Sequence, residues 1–283
     1  MNVAHNNQFL VSVIIPCFNH ARHLSETLES LLSQDHANWE GLIVDDGSTD
    51  NSGEVAGQYA KKDSRFKYIY QHNQGLPSAR NNGIKQAQGD FIQFLDADDL
   101  ITPDKLSAQL HTFESNPTLD IVYSRYVCFS DQERNKTWTY SRVLINGNPV
   151  LDFAAQWEKE LSIPIHCFLY RKGCFDKWGL FDERFIFGKE DWDLHLRFAA
   201  GKAQFGFADG PAAKYRVSNE SMVRKDPGKM VKGRLMLYRK YVFGRYTAWA
   251  VRFVFMKRFV DEYTPGTAFL RRIKAALLCA HKH

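Results

Sequence analysis

No part of this 283-residue chain stays apolar for the ~18–20 residues that a membrane-spanning helix needs. Its first ten residues, MNVAHNNQFL, lack a basic stretch followed by a long apolar segment. No secretory signal is read there, and a cytoplasmic location is expected. Cysteine is scarce: Cys17, Cys128, Cys167, Cys174 and Cys279 are an odd, scattered set without a CxxC pair. That excludes a disulfide scaffold and fits reduced thiols. With 18 Gly and 9 Pro the chain is neither collagen-like nor disordered. The phosphate-cradling patterns GxxxxGK(S/T) and GxGxxG are both missing, so a phosphate must be met by a metal ion or by basic side chains. What remains is an ordinary soluble composition, 44% apolar and 24% charged, long enough for one large domain or one and a half.

Charge is unevenly placed. The net charge is +5, yet from Arg224 onward 15 Lys and Arg face only Asp226, Asp261 and Glu262, a balance of +12. The 223 residues before Arg224 carry −7. An acidic body with a basic tail calls for an anionic partner or an anionic surface.

Short apolar runs at 10–15, 41–44, 66–70, 91–95 and 121–123 read as strands. Helices are expected over 21–34, from the Thr49/Asp50 turn to about 62, over 77–88 and from Pro103 to about 114. Regular alternation with short connections means βαβ units, a parallel sheet and helices on both faces. Beyond Tyr123 the pattern is irregular, with β-like runs at 123–129, 137–144 and 166–170, a helix over 190–200 and a last strand over 212–217. From Lys229 to about Val260 an apolar stripe of Tyr238, Val242, Tyr246, Trp249, Phe253, Met256 and Val260 predicts an amphipathic helical segment, broken at Gly244.

In open α/β sheets ligands meet the carboxyl ends of strands. Here the first strand ends in Pro16-Cys17-Phe18-Asn19, the second in Asp45-Asp46 and the fourth in Asp96-Ala97-Asp98-Asp99. Asp and Asn also serve as turn and cap residues, which any one cluster alone would satisfy. Three carboxylates within four residues after an apolar strand repel one another and lose water unless a cation joins them. An oxygen-only donor set of this size suits Mg²⁺ or Mn²⁺ completed by phosphate oxygens. Arg80, in the segment Gln74-Gly75-Leu76-Pro77-Ser78-Ala79-Arg80, opens a helix at the same edge and is the basic candidate.

VSVIIPCFN, LIVDDGSTDNS, NQGLPSARNNGI and FLDADD, in this order, resemble family 2 glycosyltransferases of the GT-A fold over about residues 10–222. The resemblance implies an α/β, Rossmann-like, mostly parallel sheet flanked by helices, with a C-terminal helical extension. It divides the chain into a catalytic domain, 1–222, and a basic amphipathic tail, 223–283. The donor half of the domain is about 10–122 and the acceptor half about 123–222. It implies an inverting enzyme that moves a sugar from a nucleotide-diphosphate donor, with a leaning to UDP, onto a glycan or lipid-linked glycan. Asp98 then looks like the ligand of Mn²⁺ or Mg²⁺, and Asp96 a contact of the ribose or of metal-bound water. Asp46 would read the base. Pro16, Cys17, Phe18, Asn19, Asp45, Gln74 and Ala97 would line the nucleotide pocket, and Arg80 would touch diphosphate or base.

Gly188-Lys189-Glu190-Asp191-Trp192-Asp193 resembles the family's acidic pair under the acceptor, with Asp191 as general base and Glu190 as its substitute. Inverting transfer needs one carboxylate to take the acceptor hydroxyl's proton; acids also favour a helix N-terminus for its dipole alone. Where the family often places a His after Tyr-Arg, Tyr215-Arg216 is followed by Val217-Ser218, and the ten His residues show no ligand spacing. Nucleotidyltransferase and inactive-relic readings stay open; the first lacks a basic, Gly-rich loop after the first strand. The acidic pocket does not suit a nucleic-acid partner. The tail either lies on an anionic membrane surface or packs on the domain or an oligomer partner.

Overall fold

Alternation of apolar side chains along a strand dresses both faces of this sheet, because successive residues point to opposite sides. In β1 (Val11–Cys17) the side chains of Val11, Val13, Ile15 and Cys17 join one core cluster and that of Ile14 joins another. The computed structural model describes residues 8–132, 136–138, 144–145, 147–158, 161–217, 227–243 and 249–263. Expectations falling on the 139–143 stretch, Ser218, Gly244, Tyr246 and Cys279 lie outside these residues.

The chain continues through α1 (Ala21–Leu32), β2 (Trp39–Asp45), α2 (Ser52–Lys62), β3 (Phe66–Tyr70), α3 (Leu76–Gln86), β4 (Phe91–Phe94), β5 (Leu100–Ile101), α4 (Lys105–Ser115) and β6 (Ile121–Phe129). It then forms α5 (Pro149–Leu151), a π-helical turn (Asp152–Gln156), a 3-10 turn (Ile165–Cys167), β7 (Phe168–Arg171), α6 (Gly173–Trp178), α7 (Glu190–Ala200), β8 (Phe205–Arg216), α8 (Pro227–Phe243) and α9 (Trp249–Tyr263). The eight strands form one sheet in the order β3-β2-β1-β4-β7-β6-β8-β5.

The first half follows the alternation read from the sequence: β3, β2, β1 and β4 are mutually parallel. One expectation needs correction. The strand at 121–123 does not extend that parallel sheet beside β4. β7 lies between them, antiparallel to both β4 and β6. The reason is apolar pairing: Phe168, Leu169 and Tyr170 are fully buried and supply the strand that covers both edges. β8 then adds parallel to β6 with a bulge at Ser124/Arg125, and closes antiparallel on β5, so both parts of the chain share one sheet.

One face carries Leu24, Leu28 and Leu31 of α1, Ala56 of α2 and Leu106 of α4. The other carries Ala79 and Ile84 of α3 together with α6, α7 and the C-terminal pair α8–α9. Gly83 lets α3 lie close on β1, since a Cβ there would stand 2.4 Å from Ile14 Cγ2. That approach sets Arg80, one turn earlier, over the ends of β1 and β4.

The tail stripe packs inward in part. Tyr238 is buried against Phe255, with ring centroids 5.6 Å apart, and Leu237, Tyr241 and Val251 join the same core. These positions face the protein, because α8 and α9 each have an apolar side wide enough to complete the uncovered surface of α7. The exposed side of the pair is formed by Val231, Leu235 and Phe243 with Lys232 and Arg239, and by Met256 and Lys257.

Candidate active site

The loop after β1 is locked to the loop after β2. Asn19 adopts φ 58° and its carboxamide oxygen accepts from Thr49 N at 2.8 Å, while its own N–H donates to Ser48 Oγ at 2.9 Å. Asn tolerates this left-handed conformation better than most residues. Phe18 stands 46% exposed at the mouth, whereas Pro16 and Cys17 are buried as the last residues of β1. Burial pushes the Cys17 thiol up to about 11, which keeps it protonated and unreactive.

Both β2 aspartates hold chain donors. Asp45 accepts from Ser48 N and Tyr68 Oη, each at 2.8 Å. Asp46 accepts from Gln71 Nε2 at 2.7 Å, Gln74 N at 2.9 Å and Gly75 N at 2.8 Å. Asp46 therefore shapes the 71–75 loop that leads into α3, and Gln74 presents its side chain at the exposed surface of that loop.

Arg80 is the hub. Its guanidinium, 2% exposed, donates to Asp96 Oδ1 at 2.8 Å and to Glu190 Oε1 at 2.7 Å. The buried cation holds the Asp96 carboxyl below its usual range against the opposing effect of burial, and the two acids in turn raise the arginine. One charge thus ties the loop after β4 to the first residue of α7. Both terminal nitrogens are engaged within the protein, and Nε has no hydrogen-bond partner among the described residues.

The three aspartates after β4 have different surroundings. Ala97 is buried and its carbonyl accepts from Thr27 Oγ1. Asp99 is buried: its Oδ1 accepts from Arg216 N at 2.7 Å, and Oδ2 lies 3.0 Å from His166 Nδ1. That approach is off the hydrogen-bond angle, and neither ring nitrogen of His166 has another partner among the described residues. Arg216 Nε donates to the carbonyl of Asp98 at 2.6 Å, while its terminal nitrogens pair with Glu26 and Asp131. Asp98 is left with the unbalanced charge. Burial first, then Asp99 and Asp96, push its carboxyl up to about 8. A group in that position gains most from a cation. Asp96, Asp99 and His166 also offer ligand atoms within 4.8 Å of one another and could hold an ion, so the donor chemistry at this edge fits a divalent metal.

His166 was not singled out in the sequence, since it has no neighbour at ligand spacing. It reaches the aspartates through the fold. Gln93 Nε2 donates to the His166 carbonyl at 2.9 Å, and Gln109 Nε2 to that of Cys167 at 2.8 Å, which fixes the 165–167 turn from beneath.

At the start of α7, Lys189 (φ 79°) and Gly188 (φ 88°) turn the chain sharply. Asp191 follows in the first turn, where its Oδ1 accepts from Trp192 N at 2.7 Å. Burial and the neighbouring Glu190 push the Asp191 carboxyl up to about 7, opposed by Arg80 and Lys189. A carboxylate poised near neutrality is matched to proton transfer. His195 is buried in an aromatic cage with Phe153 and Phe168, and burial drives it down to about 3.

Removing the hub should be severe. Arg80→Met leaves Asp96 and Glu190 facing each other in a desolvated site, and a loss of about 3–5 kcal/mol of stability is expected. The double variant R80M/E190Q should recover part of it. Urea unfolding of wild type and both variants checks this; equal midpoints for all three would show that the pair carries no such load.

The chain is similar to known proteins in sequence and in fold. Residues 12–179 match the sequence profile described as Glycosyl transferase family 2. An uncharacterized glycosyltransferase of Rickettsia felis is 36% identical over 219 residues, covering 77% of this chain and 35% of that protein. The putative glycosyltransferase EpsH of Bacillus subtilis is 31% identical over 249 residues, covering 81% and 67%. The putative teichuronic acid biosynthesis glycosyltransferase TuaG of the same organism is 44% identical over 102 residues, covering 36% and 40%. The chain thus spans about a third of the Rickettsia relative's length. Among solved structures, S. aureus TarS 1-349 in complex with UDP-GlcNAc superposes with TM-score 0.65 at 18% identity, covering 89% of this chain and 73% of that one. GalNAc-T7 with UDP, GalNAc and Mn²⁺ superposes with TM-score 0.70 at 14% identity, covering 96% and 55%. The mixed sheet is therefore the GT-A fold, and with its profile match over more than half its length the chain belongs to glycosyltransferase family 2.

Proposed function

We propose that this chain transfers a sugar from a nucleotide-diphosphate sugar, a UDP-sugar by preference, to a hydroxyl of a glycan or lipid-linked glycan in cell-surface polysaccharide synthesis. One arrangement carries the reading. Arg80 ties the aspartate loop after β4 to the acid pair that opens α7, so a proton acceptor stands at the same edge as aspartates suited to a diphosphate-bound cation. UDP-GlcNAc in the TarS complex, UDP with Mn²⁺ in GalNAc-T7 and the teichuronic acid role in TuaG's name support donor, ion and pathway class.

Asp98 would hold Mn²⁺ or Mg²⁺, with Asp96 beside it for the ribose or a metal-bound water. Bound there, the ion supplies positive charge for the leaving diphosphate. Asp191 takes the acceptor hydroxyl's proton as that oxygen bonds to the anomeric carbon. The bond from that carbon to the phosphate oxygen breaks with inversion, and its electron pair leaves on UDP. Trp192 N fixes the carboxylate of Asp191, while Glu190 stays on Arg80. Phe18 and Asn19 bound the nucleotide side, with Gln74 on the opposite loop.

The exposed face of α8–α9 suits an anionic bilayer surface that would present a lipid-linked acceptor. Val231, Leu235, Phe243 and Met256 are exposed beside Lys232, Arg239 and Lys257, within a segment of charge +12. Each basic residue at such a surface contributes about 1 kcal/mol, and the apolar groups add interfacial burial.

Asp98→Ala should abolish most UDP release from a donor panel and most Mn²⁺-dependent UDP binding. Wild-type turnover undiminished in EDTA would refute the metal role.

For Asp191→Asn, turnover should fall by roughly 10²–10⁴-fold with UDP affinity kept. The active form is the carboxylate, so the wild-type rate should fall as pH drops below about 7, and the Asn variant should lack that acid limb. An unchanged kcat in D191N would remove Asp191 as the base and leave Glu190.

Liposome co-sedimentation checks the surface. Binding to anionic but not neutral vesicles is expected, weakened by high salt and by truncation after Met222. Failure on both vesicle types would assign the exposed face to another role.

A further inference from the structure

The inner side of the C-terminal helices bears on the loop that presents Asp191. α8 crosses that loop so closely that a Cβ on Gly233 would stand 2.7 Å from the carbonyl oxygen of Gly188 and 2.9 Å from that of Phe187. Both are backbone atoms, which cannot swing aside as a flexible side chain would. They belong to the sharp turn at Gly188 (φ 88°) and Lys189 (φ 79°) that aims the start of α7.

Further contacts grip the same turn. Lys189 pairs with Glu158, and Glu158 with Arg234 of α8 at 3.3 Å. Lys240 Nζ lies 2.7 Å from Asp193 Oδ1 and 2.9 Å from Asp182 Oδ2. Tyr241 Oη donates to Asp193 Oδ1 at 3.0 Å, so two α8 side chains hold a carboxylate two residues beyond Asp191. From α9, Arg258 lies 4.7 Å over the Trp192 ring and donates to the Ala154 carbonyl at 3.1 Å. Phe255 packs on Trp192, with centroids 5.8 Å apart. Trp192 Nε1 donates to the Phe153 carbonyl at 2.6 Å. The residues on both sides of Asp191 are thus held from the C-terminal helices and the 152–158 turn.

We propose that α8, through the backbone contact at Gly233 and the Lys240 and Tyr241 contacts with Asp193, positions Asp191 for proton abstraction, making the C-terminal helices part of the acceptor-side machinery. This rests on Asp191 being the base. None of these α8 residues touches substrate; they act through the turn. A base must stand within hydrogen-bond reach of the proton it takes, and a misplacement of about 1 Å can cost about 10²-fold in rate. The donor pocket, built from loops after β1, β2 and β4, should not sense the change.

The test is a double-variant cycle on the full chain. Gly233→Val forces the close approach apart, and Tyr241→Phe removes the hydroxyl and its two hydrogen bonds to Asp193 without adding volume, which serves should G233V not fold. UDP release is measured from the members of a UDP-GlcNAc, UDP-GalNAc, UDP-glucose and UDP-galactose panel that the wild type turns over. Mn²⁺-dependent UDP affinity is measured in parallel. G233V should lower kcat about 10–100-fold and Y241F about 3–10-fold, with donor KM and UDP affinity within about twofold. In a D191N background the same changes should cost little more, because the group being positioned is gone. Independently of any donor, hydrogen exchange in 185–193 should rise several-fold in G233V. Wild-type kcat in both variants, a kcat loss that persists in full on D191N, or unchanged exchange would each overturn the positioning role. D191N with unchanged turnover would instead defeat the assignment of the base, whatever G233V does.

Discussion

One buried positive charge holds this site together. A guanidinium 2% exposed would be unstable alone, and so would the buried carboxylate of Glu190; Asp96, half-buried, completes the cluster. Each is tolerable because the other two are there. The consequence is geometric as well as energetic. Asp96 follows β4 and Glu190 opens α7, 94 residues later in the chain. Arg80 fixes their separation with a rigid, planar fork, which a flexible ammonium could not reproduce. Gly83, one turn on, gives α3 the close seat on β1 from which Arg80 reaches both.

The neighbouring aspartates show how a crowded acidic edge is only partly balanced by the protein. Three acids within four residues could all have been neutralised by protein groups. Asp96 is balanced by Arg80, and Asp99 is held by Arg216 N with His166 alongside. Arg216 might have balanced Asp98 as well, but its side chain turns to Glu26 and Asp131 and gives Asp98 only a contact to the carbonyl. Burial first, then Asp99 and Asp96 alongside, push the Asp98 carboxyl up to about 8. The Arg80 guanidinium and the Arg216 N–H fix the loop's shape on either side of Asp98.

Much of this was legible before any coordinates. An apolar run followed at once by Asp or Asn marks a strand end, and three such runs in a βαβ rhythm place their polar ends on one edge. The start of α7 was equally readable, since Glu190 and Asp191 follow Gly188 and precede a helical apolar pattern. What the sequence hid were relations across distance. β7 inserts between β4 and β6 because buried side chains pair there, and nothing local to 168–171 announces that. His166 meets Asp99 across 67 residues, so no ligand spacing exists to be seen. The tail stripe at Tyr238 looked equally suited to a membrane and to a protein face, because amphipathicity states that one side is apolar without saying what covers it.

The two sides of the tail have different physical duties. Its inner side is tightly made: Tyr238, Tyr241 and Phe255 stack together, Arg258 lies over Trp192, and Gly233 admits a backbone contact no larger residue would allow. Such contacts fix geometry and tolerate little change. The outer side mixes exposed Val231, Leu235 and Met256 with lysine and arginine, a surface suited to contact through area and charge and tolerant of change. A helix with both sides joins whatever meets its outer face to whatever its inner face supports. In this chain the inner face supports the turn before Asp191. An acceptor delivered at a membrane would therefore arrive against the same helical pair that sets the angle of the proposed base, so delivery and chemistry would share one rigid element without a separate linker between them.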